Sequence, residues 1–332
     1  MAANSDQTDI AILNYPGAQL AAVHGLTDLF LCANGMVAQQ LAATGAVAAP
    51  PPLRISHWQL ASDGRDVEMA FVSEQIAAPV EQLTAVIVPP SLTDGATEAP
   101  DPLLLDWLVS QHRAGAVLSS VCAGAFLLAE SGLLAGRPAT THWVFEESFA
   151  ARYPAVRVET DKLIVEDGDI ITAGGVMAWA NLGLRLVDRF VGSAIMLEVA
   201  RFFLVDPSGR EQRFYSCFAP RLQHGDAAIL NIQHWLQSNC DQVHSVATMA
   251  AQANLSERTF LRRFQKATGM KPTAYLQMLR VGKARELLEF SAIPFQQIAW
   301  QVGYEDPGAF RKVFQRIMGL SPGDYRRRFH VS

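Results

Sequence analysis

The sequence predicts an α/β domain, a mainly parallel sheet with helices on both faces, followed by an all-helical domain with two helix-turn-helix motifs. Three observations lead there. Strand-length apolar runs alternate with helix-length amphipathic ones over the first two hundred residues, an internal repeat occupies the last hundred, and the charge divides between the two parts. The chain has 332 residues and a net charge of −5. Residues 226–332 hold fourteen Lys and Arg against eight Asp and Glu, a net +6, which leaves −11 on residues 1–225. A basic segment suits nucleic acid and an acidic one repels it, so the first part does something other than touch DNA.

Residues 10–15 are a short apolar run closed by Pro16 and Gly17 and read as a buried strand, and a long helix starts near Gln19. Residues 53–60 and 85–88 are further strands, the second stopped by Pro89 and Pro90. The spacing of Leu104, Leu105 and Leu108 gives a helix over 102–112, after which AVLSSV is again a buried strand. Helices are expected over 123–131 and 144–152, a strand pair over 162–165 and 169–172, and two more helices over 177–190 and 193–204. Strands apolar on both faces imply a parallel sheet, and such sheets bind ligands at the carboxyl ends of their strands.

The place to look is therefore the turn Val121, Cys122, Ala123, Gly124, where strand gives way directly to helix. Cys122 is the candidate nucleophile, since a sharp turn pushes it into the open and a helix start lowers a thiol pKa. The amides after it, with Gly174 and Gly175 on another strand-end loop, can hold a carboxylate or other polar group without any chemistry. His142 and His24 are candidate partners for the thiol, although a lone His is more often a structural hydrogen-bonding residue. Trp58, Trp143 and Trp179 lie near strand or loop ends, where they wall a pocket or simply fill core.

Subtracting fifty from Phe310, Phe314, Gln315, Gly319, Pro322 and Tyr325 lands on Phe260, Phe264, Gln265, Gly269, Pro272 and Tyr275. In each copy Ser256 or Asp306 caps a helix start, two Phe residues four apart fix a buried face, and Gly269 or Gly319 ends the helix. A second amphipathic segment and a tight turn at Asn254 or Tyr304 precede each copy, giving helix-turn-helix units at about 245–268 and 295–318. Opposite the Phe residues stand Arg258, Leu261, Arg262, Arg263 and Lys266 in the first copy and Arg311, Lys312 and Arg316 in the second. Such cations suit phosphates and guanine edges. Residues 273–290 read as a rigid helix joining the two units.

At these residues the chain resembles the AraC/XylS family of bacterial transcription regulators, through the closing pattern IAWQVGYEDPGAFRKVFQRIMGLSPGDYRRRF above all. The resemblance implies that Arg258, Leu261 and Arg262 reach base edges. In the second copy Pro307, Gly308 and Ala309 are short where longer polar residues are frequent, which leaves Arg311 and Lys312. The stretch VCAGAFLLAESGLLAGRPATTHW resembles the DJ-1/PfpI superfamily, and more closely the amidase-like, class I glutamine amidotransferase-like sensor domain of GlxA-type regulators. That resemblance implies a flavodoxin-like sandwich, a homodimer, a small-molecule effector such as an amino acid, amine or betaine, and activation of promoters through RNA polymerase in the bacterial cytoplasm. It also implies no enzyme: the acid that superfamily enzymes bring to the cysteine is Ala22 here, and the His that some place directly after it is Ala123.

The expected layout is a sensor domain at 1–205, a polar linker at 206–226 broken by Pro207, Gly209, Pro220 and Gly225, and a DNA-binding domain at 227–332. Cys32, Cys122, Cys217 and Cys240 lack metal or disulfide spacing, so neither metal nor cofactor is expected. No apolar run reaches eighteen residues, and MAANSDQTD lacks a secretory pattern. Two other classes compete: a cysteine-dependent amidase or hydratase using Cys122, and an architectural DNA binder without a ligand.

Overall fold

The computed structural model describes residues 7–45, 51–73, 82–93, 100–207, 211–216, 218 and 220–331. The MAANSDQTD start and part of the expected linker lie largely outside them. The chain divides into two compact units, Met1–Gln212 and Arg213–Ser332, so the boundary falls inside the expected linker.

The first unit is built from β1 (Thr8–Leu13), α1 (Leu20–Ala43), β2 (Leu53–Leu60), β3 (Val67–Val72), β4 (Ala85–Val88), α2 (Pro102–Arg113), β5 (Val117–Val121) and α3 (Ala125–Glu130). There follow β6 (Pro138–Ala139), α4 (Glu146–Arg152), β7 (Arg157–Val158), β8 (Ile164–Asp167), β9 (Ile170–Ala173), α5 (Trp179–Phe190) and α6 (Ser193–Phe203). Among the described residues its main sheet has seven strands, in the order β3-β2-β1-β4-β5-β9-β8. The central five, β2 to β9, are parallel, and an antiparallel strand closes each edge. This is the flavodoxin-like order, with its reversal between β1 and β4.

Right-handed crossovers explain the layers. The chain moves one way from β1 to β2 and the other way from β4 to β5, so α1 and α2 fall on opposite faces. Helices α1, α5 and α6 pack on one another as one layer, and α2 packs on α3. The core between them holds the fully buried Ile10, Ile12, Leu13, Val86, Ile87, Leu118 and Ile171. Among the described residues α1 is the one helix long and apolar enough to cross a membrane, with a mean hydropathy of 1.4 over eighteen residues. It escapes a search for unbroken apolar runs because Thr27, Asp28 and Asn34 interrupt them. Its buried face, Val23, Leu26, Leu29 and Phe30, instead belongs to the sheet domain's core.

Among its described residues the second unit has seven α-helices: α7 (Ala227–Ser238), α8 (Val246–Gln252), α9 (Glu257–Thr268), α10 (Pro272–Phe290), α11 (Phe295–Gln301), α12 (Pro307–Met318) and α13 (Pro322–Phe329). The caps are those the sequence indicates. Ser256 accepts from the Thr259 amide at 3.4 Å and Asp306 from the Gly308 amide at 2.7 Å, while Gly269 and Gly319 close their helices with φ of 74° and 72°. There are two small cores. Phe260, Phe264, Tyr275 and Leu276 belong to the first, and Phe310, Phe314, Tyr325 and Ala284 to the second. Helix α10 supplies side chains to both.

The turns of the two copies differ in length by one residue, 253–256 against 302–306. Between α8 and α9 the left-handed turn residue is Asn254, with φ of 53°, but between α11 and α12 it is Gly303, with φ of 85°, and not Tyr304. A Cβ on Gly303 would lie 2.3 Å from the Asp241 carbonyl oxygen, so the turn needs both the freedom and the bareness of glycine. Tyr304 is left to pack, its ring 4.5 Å from that of Phe310 and 5.0 Å from the Arg280 guanidinium.

Candidate nucleic-acid interface and strand-end site

Helix α9 buries Phe260, Phe264, Ala267 and Thr268, so its opposite face is the one presented. Arg258, Leu261, Arg262 and Lys266 are exposed on it, Leu261 to 40%. Among the described residues none of these three cations is in an ion pair. Arg258, Leu261 and Arg262 line a shallow groove of about 720 Å³ together with Gln265, Lys271 and Pro272. The sequence reading passed over Lys271; its signal was its place just before the Pro that opens α10.

Arg263, expected on the same face, is turned away. It gives Asp226 a bidentate pair, Nε to Oδ2 at 2.9 Å and Nη2 to Oδ1 at 2.6 Å. Its place one residue before Phe264 puts it at the edge of the buried face, toward the start of α7, where Asp226 also caps the Ile229 amide. The Arg263 hydrogen bonds hold the Asp226 carboxyl below its ordinary range, and Asp226 raises Arg263 in return. Arg263 is therefore a brace between α7 and α9.

On α12, Arg311, Lys312 and Arg316 are exposed. The Arg311 guanidinium lies 5.6 Å from the Phe295 ring centroid, and Arg316 donates to Gln277 Oε1 at 2.8 Å. Pro307, Gly308 and Ala309 form the first turn, so no long side chain stands where Arg258 stands in the first copy.

In the first unit the strand-to-helix turn is as sharp as the sequence indicates. Cys122 has φ of 54°, and a one-turn 3-10 helix, Cys122–Gly124, leads into α3. A Cβ on Gly124 would come within 2.6 Å of the Val88 carbonyl oxygen, which is what lets this turn pack against the end of β4. The thiol is not in the open, however, but 1% exposed. Burial pushes it up to about 11 despite the Ala123 amide that favours the thiolate. The expected lowering fails because the helix start is a three-residue 3-10 turn with little dipole, while desolvation acts in full. Ala22, where superfamily enzymes carry an acid, is fully buried. His142 uses its Nδ1 to accept from the Val144 amide at 3.2 Å, capping the turn that follows it, and burial lowers its pKa. The ring of His24 lies 5.8 Å from that of His57.

At pH 8 a thiol near 11 carries roughly a hundredfold less thiolate than an ordinary cysteine at 9.0. Alkylation of Cys122 should accordingly be slow at pH 8 and still be rising at pH 10, and mass spectrometry of a timed iodoacetamide reaction checks this. A rate that levels off below pH 9 would contradict the buried, protonated thiol.

Gly174 follows β9, and its Cβ position is already filled. The side chain of Gln212 lies there, 1.8 Å from where a Cβ would stand. Thr141 ties the same place to the cysteine turn, donating from Oγ1 to the Cys122 carbonyl oxygen at 2.8 Å. Cys122, Thr141 and Gly174 are thus gathered at the strand ends, and Gln212, unmarked in the sequence, is the group seated among them. The three tryptophans go to separate partners: Trp58 to Trp107, Trp143 to His142, and Trp179 against Gly25. Asn181 donates to the Asp206 carbonyl oxygen at 3.1 Å.

Comparison with known proteins gives two family matches, to the DJ-1/PfpI family over residues 63–189 and to a helix-turn-helix domain over residues 249–328. The chain joins a DJ-1/PfpI domain to a helix-turn-helix domain of the AraC type. The regulator is 26% identical to the HTH-type transcriptional regulator CdhR of Pseudomonas aeruginosa over 85% of its own length and 87% of that protein. It is 26% identical to the HTH-type transcriptional regulator GlxA of Rhizobium meliloti, over 65% of its length and 67% of that one. Among solved structures it resembles the DNA-binding domain of AdpA in complex with a target DNA, at 35% identity and a TM-score of 0.30, covering 31% of this chain and 92% of that one. The regulator binds DNA and controls transcription, and its named relatives are transcriptional regulators.

Proposed function

We propose that the regulator reads its DNA site mainly through α9 and makes that reading depend on a small molecule bound by the first unit. The observation that carries the first part is the contrast between the two copies. Arg258, Leu261 and Arg262 offer long unpaired side chains to a groove, whereas α12 begins Pro-Gly-Ala and engages two of its three cations within the unit. Arg258 and Arg262 suit guanine edges and Leu261 a thymine methyl; Lys266, Arg311, Lys312 and Arg316 suit phosphates. Two such helices reach successive major-groove segments, roughly 34 Å apart.

The sensor would be residues 1–205, the linker 206–226 and the DNA-binding domain 227–332. The effector site would lie at the Cys122, Ala123, Gly124 turn with His142, Gly174 and Gly175, and the effector would be an amino acid, amine or betaine. A homodimer reading two half-sites and recruiting RNA polymerase to activate promoters in the cytoplasm completes the proposal. A ligand has this effect only by favouring one arrangement over another.

A thermal-shift screen of the full chain against amino acids, amines and carboxylates, paired with occupancy of a duplex selected by the protein from a random library, tests the second part. A compound that both raises Tm and changes occupancy is expected. Stabilising compounds that all leave occupancy unchanged would overturn it.

A further inference from the structure

We propose that Thr140, Thr141, Trp143, Lys162 and Gly174 build a site for a primary carboxamide, and that Gln212 is its resident and exchangeable occupant. This deepens the effector reading above and rests on it for its regulatory meaning. The Gln212 side chain is buried, 3% exposed, and each of its polar atoms is held. Oε1 accepts from the Trp143 amide at 3.2 Å. Nε2 donates toward Thr141 O at 2.8 Å, Lys162 O at 3.0 Å and Thr140 Oγ1 at 3.1 Å.

That set of groups selects for one chemistry. One amide donor faces an oxygen, and two carbonyl oxygens face a nitrogen beside the Thr140 hydroxyl, which matches the one carbonyl and two N–H groups of a neutral primary amide. A carboxylate would turn an oxygen toward two carbonyl oxygens, neither of which can donate. An ammonium would bring in a charge that two carbonyls and a hydroxyl do not neutralise. The missing Cβ of Gly174 makes the room, and the seat lies at the carboxyl ends of β5 and β9, where parallel sheets hold ligands.

The occupant is also placed to report. Gln212 is the last residue of the first unit, and its backbone amide donates to the Asp161 carbonyl oxygen at 3.0 Å. The residues after it belong to the second unit: the Phe214 ring lies 5.7 Å from the Arg328 guanidinium, and Tyr215 packs edge-on against Phe329 at 5.4 Å. A free amide that takes the seat therefore releases the end of the segment that leads into the DNA-binding unit. A tethered side chain competes at an effective concentration on the order of millimolar, so a free ligand meets a finite barrier.

Propionamide is the Gln212 side chain cut loose, and propionate is its charged control. In the full chain, Gln212→Ala should bind propionamide saturably and at least tenfold more tightly than the wild type does, by titration calorimetry or thermal shift, and should not bind propionate. Its occupancy of the selected duplex should differ from wild type and return toward it as propionamide fills the seat. Gln212→Glu keeps the size but faces two carbonyl oxygens with a carboxylate, so it should leave the seat and bind propionamide as Gln212→Ala does; it serves where the alanine variant fails to fold. No binding to either variant, or equal binding to variant and wild type, would overturn the site and make Gln212 a fixed anchor. A wild-type response to a compound from the effector screen, together with that failure, would leave the sensor reading standing. Tight binding to the variants with occupancy unmoved in every protein would keep the carboxamide site and remove the sensor reading.

Discussion

Phe264→Ala should destabilise the DNA-binding unit by about 3–5 kcal/mol, the cost of emptying a fully packed aromatic site. Phe264 is 0% exposed, with the Phe260 ring 5.4 Å away and the Tyr275 ring 5.3 Å away. Losing it leaves a void lined by rings that backbone caps at both ends of α9 keep from collapsing. Denaturant unfolding should show the transition of the second unit moved to lower concentration and that of the first unit unmoved. Phe314→Ala should do the same from the second core, where the same position of the repeat is again 0% exposed. A loss under 1 kcal/mol for either would mean that the core is not packed around these rings.

Arg262→Ala should cost about 1–3 kcal/mol at the selected duplex and much less on random DNA, as befits a side chain that reads a base. Arg262 lies in the α9 groove, and neither Asp226 nor any other described carboxylate engages it, in contrast to its neighbour Arg263. The paired measurement separates roles: equal weakening on both duplexes would make Arg262 a phosphate contact. Arg263→Ala should instead reveal itself in unfolding, through the brace to α7, with little preference between the two DNAs.

Much of this was legible because local rules and tertiary packing agree. The caps at Ser256 and Asp306, the Phe pairs and the closing glycines each set a boundary by themselves, and the repeat doubled the signal. Strand β4 was readable because burial on both faces leaves the unbroken apolar run AVIV. Strand β3 was not: it lies at the sheet's edge, and of its six residues only Val67 is buried, so VEMAFV shows neither a fully buried run nor a clean alternation.

The site was harder, and for a physical reason. Whether Arg263 faces DNA or a carboxylate is decided by Asp226, thirty-seven positions away in sequence. Whether Cys122 is acidified or protected is decided by how much protein closes over it, which no turn geometry reveals. Gln212 stands in a polar stretch where any glutamine looks solvated, and only the carbonyl groups of Thr141 and Lys162, brought in by other loops, give it a role. The one-residue difference between the two turns is hidden as well, since a comparison by residue type at a spacing of fifty aligns α9 with α12 but sets α8 one place off from α11.

Helix α10 feeds both small cores, and that makes its length a measurement. One residue inserted within its nineteen would turn one reading head about 100° against the other and shift it about 1.5 Å, enough to take it out of phase with the groove. On the proposed reading a single rigid rod would thus store the distance between the two words of the DNA site, and a duplex with one base pair added between them should be read by one head at a time.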